Sequence, residues 1–122
     1  MTLKNCKITK KAEYQKLFKN GIRATSRYFT MLYRISEQAG SNKFRFGMTV
    51  SKKVGNAVKR NRYKRIIRVL MRDMCIKQEH NIDVNVITKR SIVGQNFSNI
   101  KKDFTFCLNK IFNYEKHHVK NN

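Results

Sequence analysis

The sequence predicts a single mixed α+β domain with the element order αββαβα. Three observations lead to this prediction. The chain has 122 residues, a length that suits one compact domain. Its content of 40% hydrophobic and 11% aromatic residues lies above that of disordered chains, despite a formal net charge of +21. Apolar residues recur at helical spacing in some segments and at every second position in others. We expect an ordered core from about residue 8 to about residue 114, between a basic N-terminal arm and a frayed tail.

The first predicted helix follows the basic arm. Thr9 is a suitable N-cap, and Asn20-Gly21 is a typical helix end. Between them the apolar residues recur at helical spacing, at Ala12, Tyr14, Leu17 and Phe18. The segment is therefore a short amphipathic helix with aromatic residues on one side.

Two strands are predicted next, at residues 28–36 and 43–51, as a hairpin with a turn at "EQAGSN". One face of the first strand carries Phe29, Met31, Tyr33 and Ile35, and the other carries Tyr28, Thr30, Leu32 and Arg34. The second strand alternates more cleanly, with Phe44, Phe46, Met48 and Val50 on one side.

The second helix is predicted from Asn56, a good N-cap, to about Cys75. On a helical projection one side is apolar and should face the core, with Val58, Tyr63, Ile66, Ile67, Val69, Leu70 and Met74. The other side is cationic, with Asn61, Lys64, Arg65, Arg68 and Arg72 and with Arg60 at its border.

The last two elements are a strand at "IDVNVITK" and a helix capped by Ser98. In the strand Ile82, Val84 and Val86 alternate with Asp83 and Asn85, and the helix has apolar residues at Ile100, Phe104, Cys107, Leu108, Ile111 and Phe112. A short extra strand at "GIRATS" or near Ile92-Val93 remains an alternative, which gives αβββαβα.

The charge indicates a polyanionic partner. The chain has 28 Lys and Arg against 7 Asp and Glu, and no acid lies between Gln38 and Arg72. That span holds eleven bases, which we expect to need an external anion: Lys43, Arg45, Lys52, Lys53, Lys59, Arg60, Arg62, Lys64, Arg65, Arg68 and Arg72. Bases at the start of a helix oppose its dipole unless an anion docks there. The prediction is therefore a nucleic-acid-binding protein.

The cysteines and histidines do not predict a metal or a disulfide. Cys6, Cys75 and Cys107 are odd in number and widely spaced, which favours reduced thiols in a cytoplasmic protein, with Cys75 and Cys107 in the core. The three histidines lack ligand-spaced companions. The N-terminus has no signal-peptide stretch and the chain has no long apolar run, which argues against export and membrane spanning.

The segment "FRFGMTVSKKVGNAVKRNRYKRIIR", residues 44–68, resembles the signature of the bacterial ribonuclease P protein subunit. The "YQKLFKNG" of the first helix is also similar to that family, and the resemblance covers most of residues 8–112. It implies a small protein that joins a catalytic RNA to remove the 5′ leader of precursor tRNA. The family's fold resembles a ribosomal-protein domain, with a central mixed sheet and a left-handed βαβ crossover, against the usual hand.

The resemblance also implies roles for particular residues. Contact with the RNA subunit is implied for Lys52, Lys53, Asn56, Arg60, Asn61, Arg62, Lys64, Arg65 and Arg68. A cleft between the first helix and the sheet is implied to hold the leader, through Tyr14, Phe18, Lys89 and Arg90. A further cleft aromatic is expected on the first strand, where Leu32 falls in that register beside Tyr33. Either Tyr28 takes the role or the register slips by one residue.

The remaining implications concern chemistry and partners. The RNA holds the Mg²⁺ and hydrolyses the phosphodiester, so the protein itself is expected to bind no metal or cofactor and to carry no catalytic residue. Its seven scattered acids agree with this expectation. Neither a membrane nor a protein oligomer is required. Two alternatives remain open: a ribosomal or general RNA-binding domain, and a cationic membrane-active protein.

Overall fold

The computed structural model describes residues 7–35, 44–77 and 82–120. Within these ranges the elements are α1 (Lys11–Asn20), β1 (Ile22–Thr25), β2 (Phe29–Ile35), β3 (Phe44–Val50), α2 (Ala57–Lys77), β4 (Ile82–Thr88) and α3 (Phe97–Lys120), with a 3₁₀-helix at Arg90–Ile92. The predicted α+β class is confirmed, and the order is αβββαβα. The extra strand is β1, whereas the chain near Ile92 forms the 3₁₀-helix. No helix in the described ranges is long and apolar enough to cross a membrane.

Two predicted helix caps are wrong. α1 begins after Lys10 without a side-chain cap, because residues 7 and 8 run along β3, where the Ile8 N–H donates to the Phe46 carbonyl at 2.8 Å. α3 begins at Phe97, and its cap is Asn96, whose Oδ1 accepts the Asn99 N–H at 2.8 Å. The predicted Asn56 cap of α2 is confirmed, since Asn56 Oδ1 accepts the Lys59 N–H at 3.0 Å.

The sheet has the strand order β1-β2-β4-β3, so the predicted hairpin of β2 with β3 is wrong. β4 lies between them, antiparallel to β2 and parallel to β3. This strand suits a central position because Ile82, Val84 and Val86 are fully buried on one face and Asp83 and Asn85 are buried on the other. The turn predicted between β2 and β3 lies outside the described residues.

The helices cover both faces of this sheet. α2 and α3 pack on one face, over the main core, in which Phe29 and Phe104 meet edge to face at 5.3 Å between ring centroids. α1 packs on the other face, over a small cluster of Ile8, Leu17 and Leu32. α2 joins the parallel strands β3 and β4 as a βαβ crossover, and its hand stays a prediction.

The apolar side of α2 is narrower than predicted. Tyr63, Ile67 and Met71 are buried, whereas Val58 and Val69 are 77% and 53% exposed. α2 packs over β3, which is the edge strand, so the sheet buries only one row of residues four apart. Ile66 and Leu70 are partly buried beside this row, and the Met74 side chain lies outside the described residues.

Cys107 is a core residue, as predicted. Its thiol is fully buried, with Sγ 3.5 Å from the Ala24 carbonyl oxygen. Burial raises the pKa of the Cys107 thiol, which lowers its thiolate fraction. The side chains of Cys6 and Cys75 lie outside the described residues.

Cys107 should therefore resist thiol reagents in the folded protein. A variant with Cys6→Ser and Cys75→Ser should show no fast reaction with a disulfide reagent at pH 8, and one equivalent of reaction in denaturant. Rapid labelling of the folded variant would contradict this burial.

Candidate nucleic-acid interface

The segment before α2 presents two lysines on a fixed turn. Val54 is 3% exposed and its N–H donates to the Ser51 carbonyl at 3.1 Å, so it fastens the turn to the core. Lys52 and Lys53 are exposed at its tip. The turn leads into the N-terminus of α2, which carries no acid in its first turn. Backbone N–H groups and lysines at one helix end favour a bound anion.

The basic residues of α2 form two groups. Lys59, Arg62, Arg65 and Arg72 are exposed and point away from the domain, as does the neutral Asn61 beside them. Arg60, Lys64 and Arg68 are half-buried and lie four residues apart, so they form one row along the flank of the helix. The sequence analysis places only Arg60 at the border between the cationic and apolar sides. In the structure Lys64 and Arg68 are half-buried as well, so they also lie at this border.

In two guanidinium groups of this row the Nε has no acceptor among the described residues. Arg60 Nε and Arg68 Nε are buried and have no hydrogen-bond partner within the described part of the chain. A buried donor without an acceptor costs about 1–3 kcal/mol, and more when it is charged. No base of α2 forms an ion pair within the described residues. An RNA phosphate would supply both a hydrogen-bond acceptor for these Nε atoms and a negative charge to pair with the guanidinium groups.

α1 crosses a row of three residues on the opposite face of the sheet: Leu32, Asn85 and Gly47, which are direct neighbours on β2, β4 and β3. We call the space between α1 and this row the α1 cleft. The Tyr14 hydroxyl donates to the Ile8 carbonyl at 3.2 Å, and burial raises the pKa of the Tyr14 phenol. A Cβ at Gly47 would overlap the Tyr14 ring, so glycine is needed there for this close approach.

The leader-cleft candidates on α1 and β2 have different surroundings. Phe18 is 59% exposed, one helical turn after Tyr14, so it is free to stack on a ligand. Leu32 is 4% exposed and packs in the small cluster with Leu17, so it supports α1 from below. Asn85 is fully buried, and its Nδ2 has no partner among the described residues.

The candidates at the end of the sheet do not join the α1 cleft. Tyr28 is 5% exposed and belongs to the main core on the α3 side, so the structure does not support Tyr28 as a cleft aromatic. Lys89 donates from Nζ to the Ser26 carbonyl at 2.7 Å, and Arg90 is exposed at the start of the 3₁₀-helix. The Lys89 side chain therefore lies at the β1–β2 turn.

A small cavity of about 150 Å³ connects the two candidate surfaces. Tyr14 and Gly47 line it from the α1 cleft, and Lys64 and Arg68 line it from α2. Sequence reasoning missed this connection, because it assigned the cationic helix and the aromatic cleft to separate surfaces. The spacing of Arg60, Lys64 and Arg68 was the available signal, since it places the three bases on one flank.

Arg45 corrects the prediction that all eleven bases of the central span need an external anion. Its Nε and Nη2 donate to the two carboxylate oxygens of Asp83 at 2.9 and 2.8 Å, and Nη2 lies 2.6 Å from Glu13 Oε2. The hydrogen bond to Asp83 raises the pKa of Arg45, with further support from Glu13. Because Glu13 lies on α1 and Asp83 on β4, Arg45 ties the helix to the sheet.

The three acids whose side chains are described, Glu13, Asp83 and Asp103, have structural partners. Glu13 and Asp83 pair with Arg45, and Asp103 accepts hydrogen bonds from the Ser26 hydroxyl and the Arg27 and Tyr28 N–H groups at 2.7 to 3.0 Å. Among the described residues no group of three His, Cys, Asp or Glu side chains is arranged to hold a metal.

Comparisons with known proteins agree on one family. The family model described as Ribonuclease P matches residues 3–112. The ribonuclease P protein component of Listeria monocytogenes serotype 4b is 35% identical over 105 residues, which cover 86% of this chain and 87% of that protein. The corresponding component of Bacillus pumilus is 34% identical over 113 residues, which cover 93% of each chain.

Solved structures have the same fold. A Staphylococcus aureus RNase P protein mutant with defective mRNA degradation activity superposes with a TM-score of 0.81 at 29% identity, covering 88% of this chain and 89% of that chain. The RNase P protein from Thermotoga maritima superposes with a TM-score of 0.71 over 81% of this chain and 91% of that chain, and at 23% identity it shows the fold alone.

Proposed function

The chain belongs to the ribonuclease P protein family, and from this premise we propose that it binds the catalytic RNA subunit and the 5′ leader of precursor tRNA. Its role is that of a subunit in tRNA 5′-end processing. One observation carries the proposal: the basic side chains of α2, which form no ion pair within the described residues, adjoin the aromatic α1 cleft at the cavity lined by Tyr14, Lys64 and Arg68. One continuous surface can therefore contact two RNA segments.

We assign the RNA subunit to α2 and the turn before it. Arg60 and Arg68 each have an Nε without a hydrogen-bond partner among the described residues, and arginine binds phosphate through paired, directional hydrogen bonds. The exposed bases of α2, together with Lys52 and Lys53, extend this surface. Asn56 shapes it from within, because its Oδ1 is used as the cap of α2.

We assign the leader to the α1 cleft. Tyr14 and Phe18 present aromatic rings one helical turn apart. Stacking of any nucleobase on such a ring contributes about 1–3 kcal/mol to the binding free energy. This mode of binding tolerates leaders of varied sequence. Leu32 contributes by supporting α1, and the exposed Phe18 makes the direct contact.

We assign the hydrolysis to the RNA and its Mg²⁺, in the cytoplasm. The partners of the described acids support this assignment, since Glu13, Asp83 and Asp103 are each engaged in holding the fold. The contribution of the protein is then to bind and orient the two RNAs.

The decisive experiment measures cleavage of a precursor tRNA by a bacterial ribonuclease P RNA at near-physiological Mg²⁺, with and without this protein. Strong stimulation by the protein is expected. Tight binding to the RNA without stimulation would overturn the proposal and favour a ribosomal or general RNA-binding role.

RNA binding should depend steeply on salt. If about 6 to 10 phosphates are neutralised on duplex-like RNA, affinity should fall about 10³- to 10⁵-fold between about 50 and 200 mM salt. Filter binding over a salt series measures the slope. A flat curve would contradict an interface built on these bases.

Phe18→Ala should weaken binding of leader-bearing precursor tRNA to the holoenzyme by about 5- to 150-fold, which corresponds to one stacked base. Binding of leaderless tRNA should not change. Gln15→Ala, an exposed position on the same helix, is the matched control. Because Phe18 is exposed, thermal unfolding should be unaffected, and an equal loss for both tRNAs would remove Phe18 from the leader site.

A further inference from the structure

A second cavity shares no lining residue with the small cavity between the α1 cleft and α2. It is a groove of about 730 Å³ between α3, the β1–β2 turn and the segment after the 3₁₀-helix, and we call it the α3 groove. Its volume falls in the range of ligand sites, about 300–1,000 Å³. It lies on the α3 side of the sheet, whereas the α1 cleft lies on the opposite face. Its chemistry is therefore independent of the leader site.

One flank of α3 supplies a stripe of side chains with mixed chemistry. Asn99, Asp103, Phe106 and Lys110 follow each other at intervals of three or four residues, so they share one side of the helix, and Lys102 lies beside Asp103, three residues after Asn99. Phe106 is 56% exposed, so more than half of its side chain is accessible to a ligand. An aromatic ring beside lysines and an amide is a combination typical of nucleic-acid-binding surfaces.

The groove has rigid walls. Asp103 accepts hydrogen bonds from Ser26, Arg27 and Tyr28, which fixes the β1–β2 turn against α3. The Ser91 hydroxyl donates to the Arg27 carbonyl at 2.7 Å, which fixes the segment after β4 to the same turn. The carboxylate of Asp103 is thus engaged by three donors and forms part of the frame.

Phe106 is also held in place. Lys110 Nζ lies 4.7 Å from the ring centroid and donates to the Thr25 carbonyl at 2.6 Å, so it is fixed over the ring. The exposed remainder of the ring is available to a ligand. Arg27 and Lys102 line the same groove and are exposed. The exposed charged side chains at the rim are therefore both positive, whereas the Asp103 carboxylate is engaged by its three donors.

We propose that the α3 groove is a second binding site for single-stranded RNA, in which a base stacks on Phe106 and the adjoining phosphates contact Arg27 and Lys102. Gln95 and Asn99 offer amide groups to the edge of the base. An acidic peptide would use the two cations but would have no need of the exposed ring. This inference goes beyond the proposed function and does not rest on it.

A nuclear magnetic resonance titration of the full chain with a short single-stranded oligouridylate tests the site directly. We expect shifts of the backbone amides of Arg27, Asn99, Lys102 and Phe106. Phe106→Ala should weaken the affinity measured at these amides by about 5- to 150-fold, while the affinity measured at Tyr14 and Phe18 stays unchanged. Because the affinity of each site is measured from the shifts of its own amides, binding at the groove is distinguished from binding at the α1 cleft and at α2.

Phe97→Ala is the matched control, because Phe97 is an exposed aromatic residue of α3 that does not line the groove. A titration with an acidic peptide of equal charge is the second arm. The proposal fails if RNA leaves the groove amides unshifted, if Phe97→Ala and Phe106→Ala weaken binding equally, or if the peptide binds the groove as tightly as the RNA. Since the oligonucleotide carries no tRNA, failure here leaves the cleavage experiment unaffected.

Discussion

Replacing Arg60 and Arg62 together by alanine is expected to weaken binding of the RNA subunit by about 10²- to 10³-fold, because each charge-assisted hydrogen bond contributes about 1.5–3 kcal/mol and the two losses are not fully additive. The Nε of Arg60 is buried and has no hydrogen-bond partner among the described residues, and the Arg62 side chain is exposed on the outer side of α2. The domain should still fold, since neither side chain lies in the core.

The matched control removes two positive charges elsewhere. Arg23→Ala with Lys101→Ala lowers the net charge by the same amount at exposed positions on β1 and α3. Filter binding over a salt series distinguishes contact from bulk charge. The Arg60/Arg62 variant should lower the slope of log K against log salt by about 2 units, and the control should leave it nearly unchanged. If both variants lose affinity equally, net charge rather than α2 determines binding.

Local sequence patterns predicted most of the elements and the surface of α2. The alternation of Phe44, Phe46 and Val50 identified β3 and its buried face, and Asn56 identified the start of α2. These features depend on the residues next to each other in the chain. The exposed bases of α2 followed from the same helical periodicity.

Strand order and pairing partners could not be predicted in that way. Asp83 and Asn85 have the polar alternation of a strand with one solvated face, yet both are buried beneath α1. Arg45 looked like a base in need of an external anion, because its partners Glu13 and Asp83 lie more than thirty residues away in either direction. Tyr28 was assigned to the wrong face because the strand alternation was extended to it, whereas β2 begins at Phe29 and Tyr28 lies in the turn before it, with its side chain in the main core.

The contacts of Arg45 lead to the second large effect. Arg45→Met should destabilise the domain by about 2–3 kcal/mol, between the values of about 1 kcal/mol for exposed ion pairs and about 3–5 kcal/mol for buried ones. The three side chains are 25%, 23% and 11% exposed, which supports an intermediate value. For a domain of this size the expected fall in Tm is roughly 8–20 °C.

A double-mutant cycle shows how the loss arises. In the Arg45→Met variant the Asp83 carboxylate is buried without its cation. Asp83→Asn should therefore lower the free energy of unfolding much less in this background than in the wild-type protein. Glu13→Gln should have a small effect on Tm, because an amide oxygen can still accept from Arg45. Additive losses for Arg45 and Asp83 would show that the pair is not coupled.

The same ion pairs should affect function through the position of α1. Glu13 is the residue before Tyr14, so the bond from Arg45 to Glu13 helps to hold Tyr14 and Phe18 over the sheet. At a temperature where the variant is folded, Arg45→Met should weaken binding of leader-bearing tRNA more than binding of the RNA subunit, because α2 does not depend on this contact. Equal losses in both assays would instead indicate general unfolding, and circular dichroism at the assay temperature distinguishes the two outcomes.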